Sequence, residues 1–165
     1  MTHIHIYDEI KTLTIQELID KIIKSKKIVI KDIRLIDLIY DRQSLIGIYV
    51  IFNPSGKPVY VGKTGSRAIL ERIAAHYDLR PNGFMNSFLC ALAGMKKGRK
   101  GPQANLEELK VAFDKSLEYM LVFVGISDKS KITTIESILA RELKPELNSI
   151  KGKKPYKLET KIEDI

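Results

Sequence analysis

The stretch from Gly47 to His76, GIYVIFNPSGKPVYVGKTGSRAILERIAAH, constrains this chain more than any other. Gly47-Ile48-Tyr49-Val50-Ile51-Phe52 is β-branched and aromatic, the composition of a strand that packs on a pleated surface. Asn53-Pro54-Ser55-Gly56-Lys57-Pro58 carries turn chemistry, with Pro fixing φ and Gly allowing a positive one. Pro58-Val59-Tyr60-Val61-Gly62 reads as a second strand, so the pair predicts an antiparallel hairpin. Gly62 and Gly65 then free the backbone to swing into a helix, which sets Arg72 and His76 four apart on one face. Two tyrosines, Lys63, Arg72 and His76 are thereby gathered in one local unit.

A chain of 165 residues suits one domain with a real core. No run approaches the roughly 18 apolar residues that cross a bilayer. The opening MTHIHIYDEIK has no basic segment followed by an apolar one, so a cytoplasmic protein is expected. The single cysteine, Cys90, leaves no internal disulfide and no multi-cysteine zinc site, and inside an apolar run it reads as a small buried hydrophobe. The net charge of +8 and a pI near 9.5 favour a polyanionic partner. Two glycine-punctuated loops concentrate that charge. Lys96, Lys97, Arg99 and Lys100 fall in the first, and Lys151, Lys153 and Lys154 in the second; these are the candidate nucleic-acid contacts. The plainer alternative is a pair of solvated loops.

Around the hairpin, residues 2–7 alternate as a short edge strand. His3 and His5 lie two apart in it, a poor metal site without a third ligand. Thr14 and Glu17 form a capping box, followed by Ile15, Leu18, Ile19, Ile22 and Ile23 at helical spacing. Residues 28–40 fit neither period. The first 45 residues are therefore expected to be an N-terminal extension packing on a core domain of residues 46–150. After Pro81, helices are expected near 84–95 and 106–113. Residues 118–125 should be a central or third strand, and a helix should follow from about Thr133 to Leu143, stopped by Lys144-Pro145. Residues 151–165 read as a loosely held basic tail.

Gly47-Ile48-Tyr49 followed by Tyr60-Val61-Gly62 resembles the signature of the GIY-YIG nuclease family, with Val61 for the central isoleucine. Arg72 after the second motif, Glu136 on a helix after a third strand, and Asn148 behind Lys144-Pro145 fill the later landmarks in order. The likeness covers roughly residues 46–149. It implies an α+β fold, a small three-stranded antiparallel sheet flanked by helices, here with an N-terminal helical extension. It also implies a metal-dependent endonuclease that hydrolyses DNA phosphodiesters. Carried over position by position, Glu136 would hold one Mg²⁺ or Mn²⁺, and Tyr49 would be a general base or water-orienting phenol with Tyr60 beside it. Arg72 would bind the scissile phosphate, Lys63 would lower a phenol pKa or hold phosphate, His76 matches a histidine of some members, and Asn148 would close the site.

The chemistry is coherent in itself. Phosphodiester attack needs an activated water and stabilisation of extra charge on the phosphoryl oxygens. A hard ion on one carboxylate supplies Lewis acidity, and a guanidinium fork matches phosphate geometry. A single carboxylate is few ligands for such an ion, so the substrate would have to complete its shell. Each residue also has a structural alternative. Glu136 could close a capping box with Thr133, and the tyrosines could be a cross-strand core pair. Arg72 and His76 could form a solvated face, Lys63 could be an ordinary surface lysine, and Asn148 could simply end a helix. Arg67 rivals Arg72. DNA is the expected partner, with RNA and a homodimer left open. The competing function is a non-catalytic nucleic-acid-binding module on the same fold. The nuclease reading requires the phenols, Arg72 and Glu136 to meet in one cleft; a Glu136 side chain on the opposite side of the sheet from Tyr49 would undo it.

Overall fold

The computed structural model describes residues 3–80, 85–94, 105–148 and 156–165. The chain opens with β1 (Ile4–Ile6), α1 (Tyr7–Ile10) and α2 (Ile15–Lys24), then the two-residue strands β2 (Ile28–Val29), β3 (Ile39–Tyr40) and β4 (Gln43–Ser44). The hairpin β5 (Gly47–Phe52) and β6 (Pro58–Thr64) leads to α3 (Ile69–His76), α4 (Ser87–Leu92) and α5 (Leu106–Ser116). Strand β7 (Met120–Gly125) and α6 (Lys129–Leu143) complete the main elements.

The sheet is larger than the resemblance implies. It is a five-stranded mixed sheet rather than a small three-stranded antiparallel one. Its antiparallel centre is β6-β5-β7, with Tyr49 opposite Gly62 on one side and Phe123 on the other. The extension supplies the other two strands, so it is not a helical appendage. β1 runs parallel to β7, and β2 pairs antiparallel with the other half of the same edge. The reason is physical: β7 is almost wholly buried, and its outer backbone groups need partners that water cannot supply there.

Alternation along the strands sorts side chains to two cores. Ile48, Val50, Val61, Val122 and Val124 face a layer made by α2, α6 and the C-terminal segment. Tyr49, Ile51, Tyr60, Leu121 and Phe123 face α3, α4 and α5. The capping box of Thr14 and Glu17 forms as expected, and Asn105 with Glu108 makes a second one on α5. Helix α6 begins a turn earlier than predicted, because Asp128 caps it. Residues 156–165 are not a loose tail. Ile162 is buried, and Ile15 and Gln16 donate their amides to Thr160 and Leu158 carbonyls. Among the described residues, no helix is long and apolar enough to cross a membrane.

Gly47 shows how tightly the centre is built. Its φ of 147° suits glycine, and a Cβ there would lie 2.0 Å from the Val124 carbonyl oxygen. Both the backbone strain and the clash with main chain would have to be relieved. Gly47→Ala should therefore cost more than about 3 kcal/mol in urea unfolding, or prevent folding. Gly56→Ala, at a turn with open space around it, should cost about 1 kcal/mol from its φ alone.

Candidate active site

Strand β6 is the free edge of the sheet, and its Gly62 lies inside the strand rather than at a turn. A Cβ on Gly62 would sit 2.2 Å from Tyr49 Cζ and 2.3 Å from its Oη. The Tyr49 ring thus lies against the bare backbone of its cross-strand partner, a position open only to glycine. Tyr60, diagonal to Tyr49 on the same face, stacks on it with centroids 6.2 Å apart. His76 meets both rings edge-on, at 5.6 Å each.

Hydrogen bonds fix the protons of this cluster. The Phe88 amide donates to His76 Nδ1 at 3.3 Å, so a neutral imidazole carries its hydrogen on Nε2. His76 Nε2 therefore donates to Tyr49 Oη, 2.5 Å away. Arg72 is fixed as firmly, donating from Nη1 to the Met85 carbonyl at 3.0 Å and from Nη2 to Ser87 Oγ at 3.3 Å. Tyr60 Oη is 3.0 Å from the same serine oxygen.

Glu136 approaches from the other direction. Helix α6 packs on the face opposite Tyr49, yet Glu136 reaches the rim of β6 and pairs with Lys63 Nζ at 3.3 Å. Lys63 also donates to Thr133 Oγ1. The two sides meet because, among the described residues, β6 has no outer strand and Gly62 has no side chain. A cleft of about 480 Å³ results, lined by Tyr60, Lys63, Arg72, Glu136 and Asn148 among others. Glu136 and Lys63 side chains are 23% and 38% exposed, so solutes can reach them. Asn148 does more than end a helix. Its amide accepts from Val61 N and donates to Val61 O, both at 2.7 Å, replacing the missing strand at that point.

The sequence-derived residues divide accordingly. Tyr60, Lys63, Arg72, Glu136 and Asn148 line the cleft, whereas Tyr49 and His76 are fully buried behind it and act on it through contacts. Thr133 stands in the second turn of α6, so the capping-box alternative for Glu136 does not hold. Arg72 and His76 are not a solvated face. Arg67 lines the cleft beside Arg72 rather than replacing it, and Lys129, Thr133 and Ser87 join them unannounced by any motif. The basic-loop residues Lys96, Lys97, Arg99, Lys100, Lys151, Lys153 and Lys154 lie outside the described residues. His3 and His5 have separate partners, the Asp37 carbonyl and the Ser25 hydroxyl.

Among the described residues that line the cleft, four are cationic and one is a carboxylate, so the cleft carries a net positive charge. Burial pushes the Tyr49 and Tyr60 phenols above their ordinary range, while Arg72 pulls both down and Glu136 pushes them up. All of these groups thus sense one another. Among the described residues, no three His, Cys, Asp or Glu side chains cluster as a closed metal cage. Glu136 is the cleft carboxylate that would hold a divalent ion, but it is already paired with the Lys63 ammonium, which such an ion would have to displace. Water and phosphate would have to supply most of the shell.

His76 gives a measurable signature. Burial first, and Arg72 second, bring it from 6.5 down to about 3. Between those values the unfolded chain binds a proton that the folded chain refuses, so stability is full above pH 6.5 and falls as pH drops toward 3. Urea unfolding should lose about 3 kcal/mol from this group between pH 6.5 and 4. His76→Phe should flatten that slope, leaving the same-signed contribution of buried His5.

No family model, curated protein or solved structure matches this chain.

Proposed function

We propose that this protein is a metal-assisted endonuclease of the GIY-YIG type that hydrolyses DNA phosphodiester bonds. One observation carries the reading. Tyr60, Lys63, Arg72 and Glu136, drawn from both faces of the sheet, line a single cleft around the glycine of the second motif. The antiparallel β6-β5-β7 unit, with α3 after its second strand and α6 after its third, supports the reading as one part of the larger mixed sheet.

In this reading Arg72, held at two of its nitrogens, receives the scissile phosphate and stabilises its developing charge. Lys63 and Arg67 flank it. Glu136 would hold the divalent ion, which supplies Lewis acidity and a more acidic bound water. Tyr60 faces the cleft and orients the attacking water, whose oxygen bonds to phosphorus as the bond to the leaving oxygen breaks and whose proton passes through solvent to that leaving oxygen. Its raised pKa keeps it a neutral phenol until cations gather beside it. Tyr49 cannot touch a substrate. It acts as the wall that places Tyr60, with His76 fixing its hydroxyl.

One observation favours a second reading, a binding module without catalysis: Lys63 already neutralises the single cleft carboxylate. The two readings separate in solution. Plasmid DNA with Mg²⁺ or Mn²⁺ should be cut, and chelator should stop it. Glu136→Ala should abolish cutting while salt-sensitive DNA binding persists. Arg72→Ala should slow cutting by about 10²–10³-fold. Cutting that survives Glu136→Ala would overturn the nuclease reading; binding with no cutting of any DNA or RNA by the unaltered protein would favour the module.

A further inference from the structure

Residues 85–88 fall in the long connection between α3 and β7, and they support the candidate site. The Met85 carbonyl and Ser87 Oγ receive Arg72, Ser87 Oγ meets Tyr60 Oη, and the Phe88 amide meets His76. Asn86 anchors the run: it is buried, and its Nδ2 donates to the Asp78 carbonyl at 2.8 Å while Cys90 Sγ donates to its Oδ1. Three candidate site side chains thus share one short support.

We propose that Ser87 is a positioning residue, whose hydroxyl joins Arg72 to Tyr60 so that guanidinium and phenol face the phosphate as one unit. The kinetic part rests on the nuclease reading; the geometric part does not. Arg72 donates into Ser87 Oγ, and the same hydroxyl shares a second hydrogen bond with Tyr60 Oη in which either oxygen can be the donor. A free arginine side chain loses much rotamer freedom when it grips a phosphate. Holding it beforehand removes that cost from the transition state. Ser87 also acts, with Arg72, against the burial that raises the Tyr60 phenol.

The test uses the full chain with Ser87→Ala and Ser87→Thr, on plasmid DNA with Mg²⁺. Ser87→Ala should lower kcat about tenfold to a hundredfold with KM changed less than about threefold, because the loss falls on the transition state. Ser87→Thr keeps the hydroxyl and should recover to within about threefold of the unaltered protein. The alkaline side of the pH–rate profile should move up in Ser87→Ala and not in Ser87→Thr, a change that loosened packing alone would not cause. A readout without activity is NMR of protein labelled at tyrosine Cζ: the Tyr60 resonance should move in Ser87→Ala and return in Ser87→Thr. Full activity in Ser87→Ala, or equal impairment in both variants, overturns the proposal. If the unaltered protein cuts nothing, the nuclease reading fails, and the NMR result alone decides: an unmoved Tyr60 resonance in Ser87→Ala overturns the positioning role.

Discussion

The contact between the Tyr49 ring and the bare backbone of Gly62 sets the geometry that everything else follows. Cross-strand pairing places the two residues opposite each other, and any side chain on Gly62 would overlap the phenol. With the ring laid flat over β6, Tyr60 stacks beside it, and His76 closes the cluster from α3. A larger residue at 62 would push the phenol outward and fill the space where Glu136 and Arg72 approach. Packing and site are therefore one constraint.

The second condition is that β6 remains an edge. A strand paired on both sides would separate the faces, and a carboxylate on α6 could not sense a phenol on the other side. Open edges invite unwanted pairing, so they are usually covered or blunted. Here the cover is partial. Leu147 N bonds the Val59 carbonyl and the Asn148 amide bonds both polar groups of Val61, and among the described residues the rim beyond lies open at Gly62 and Lys63. The opposite edge of the sheet is closed by β1 and β2. The chain thus protects the edge that has no use and leaves open the stretch where the polar groups gather.

What was legible in the sequence was local. The hairpin, the capping box at Thr14, the apolar run of β7 and the helix carrying Glu136 all announce themselves within a few residues. Pairing of β1 and β2 with β7 did not, because two- and three-residue strands have no period to read and their partner lies far along the chain. Gly62 was misread as a hinge: a glycine near Gly65 resembles turn chemistry, and only the partner strand reveals its packing role. Thr133-Thr134-Ile135-Glu136 imitated a capping box, while the true cap, Asp128, lacks the reciprocal glutamate. The motif spacing named Tyr60, Lys63, Arg72, Glu136 and Asn148, all of which line the cleft. It could not show that Tyr49 is sealed behind them, and a lone serine such as Ser87 carries no signal.

Sealing two polar rings in the core has a consequence for how the site behaves. Tyr49 Oη and both His76 nitrogens are fully buried, and each finds a partner, so the cluster is rigid rather than strained. In such surroundings neither ring readily changes charge near neutral pH: burial disfavours the phenolate and the imidazolium alike. Lys63 and Glu136, by contrast, sit at the rim in reach of water. Among the described cleft residues cations outnumber the carboxylate, so the rim carries a net positive field. A buried neutral wall and an exposed cationic rim divide the labour: the wall fixes positions, and the rim sets the charge of the cleft.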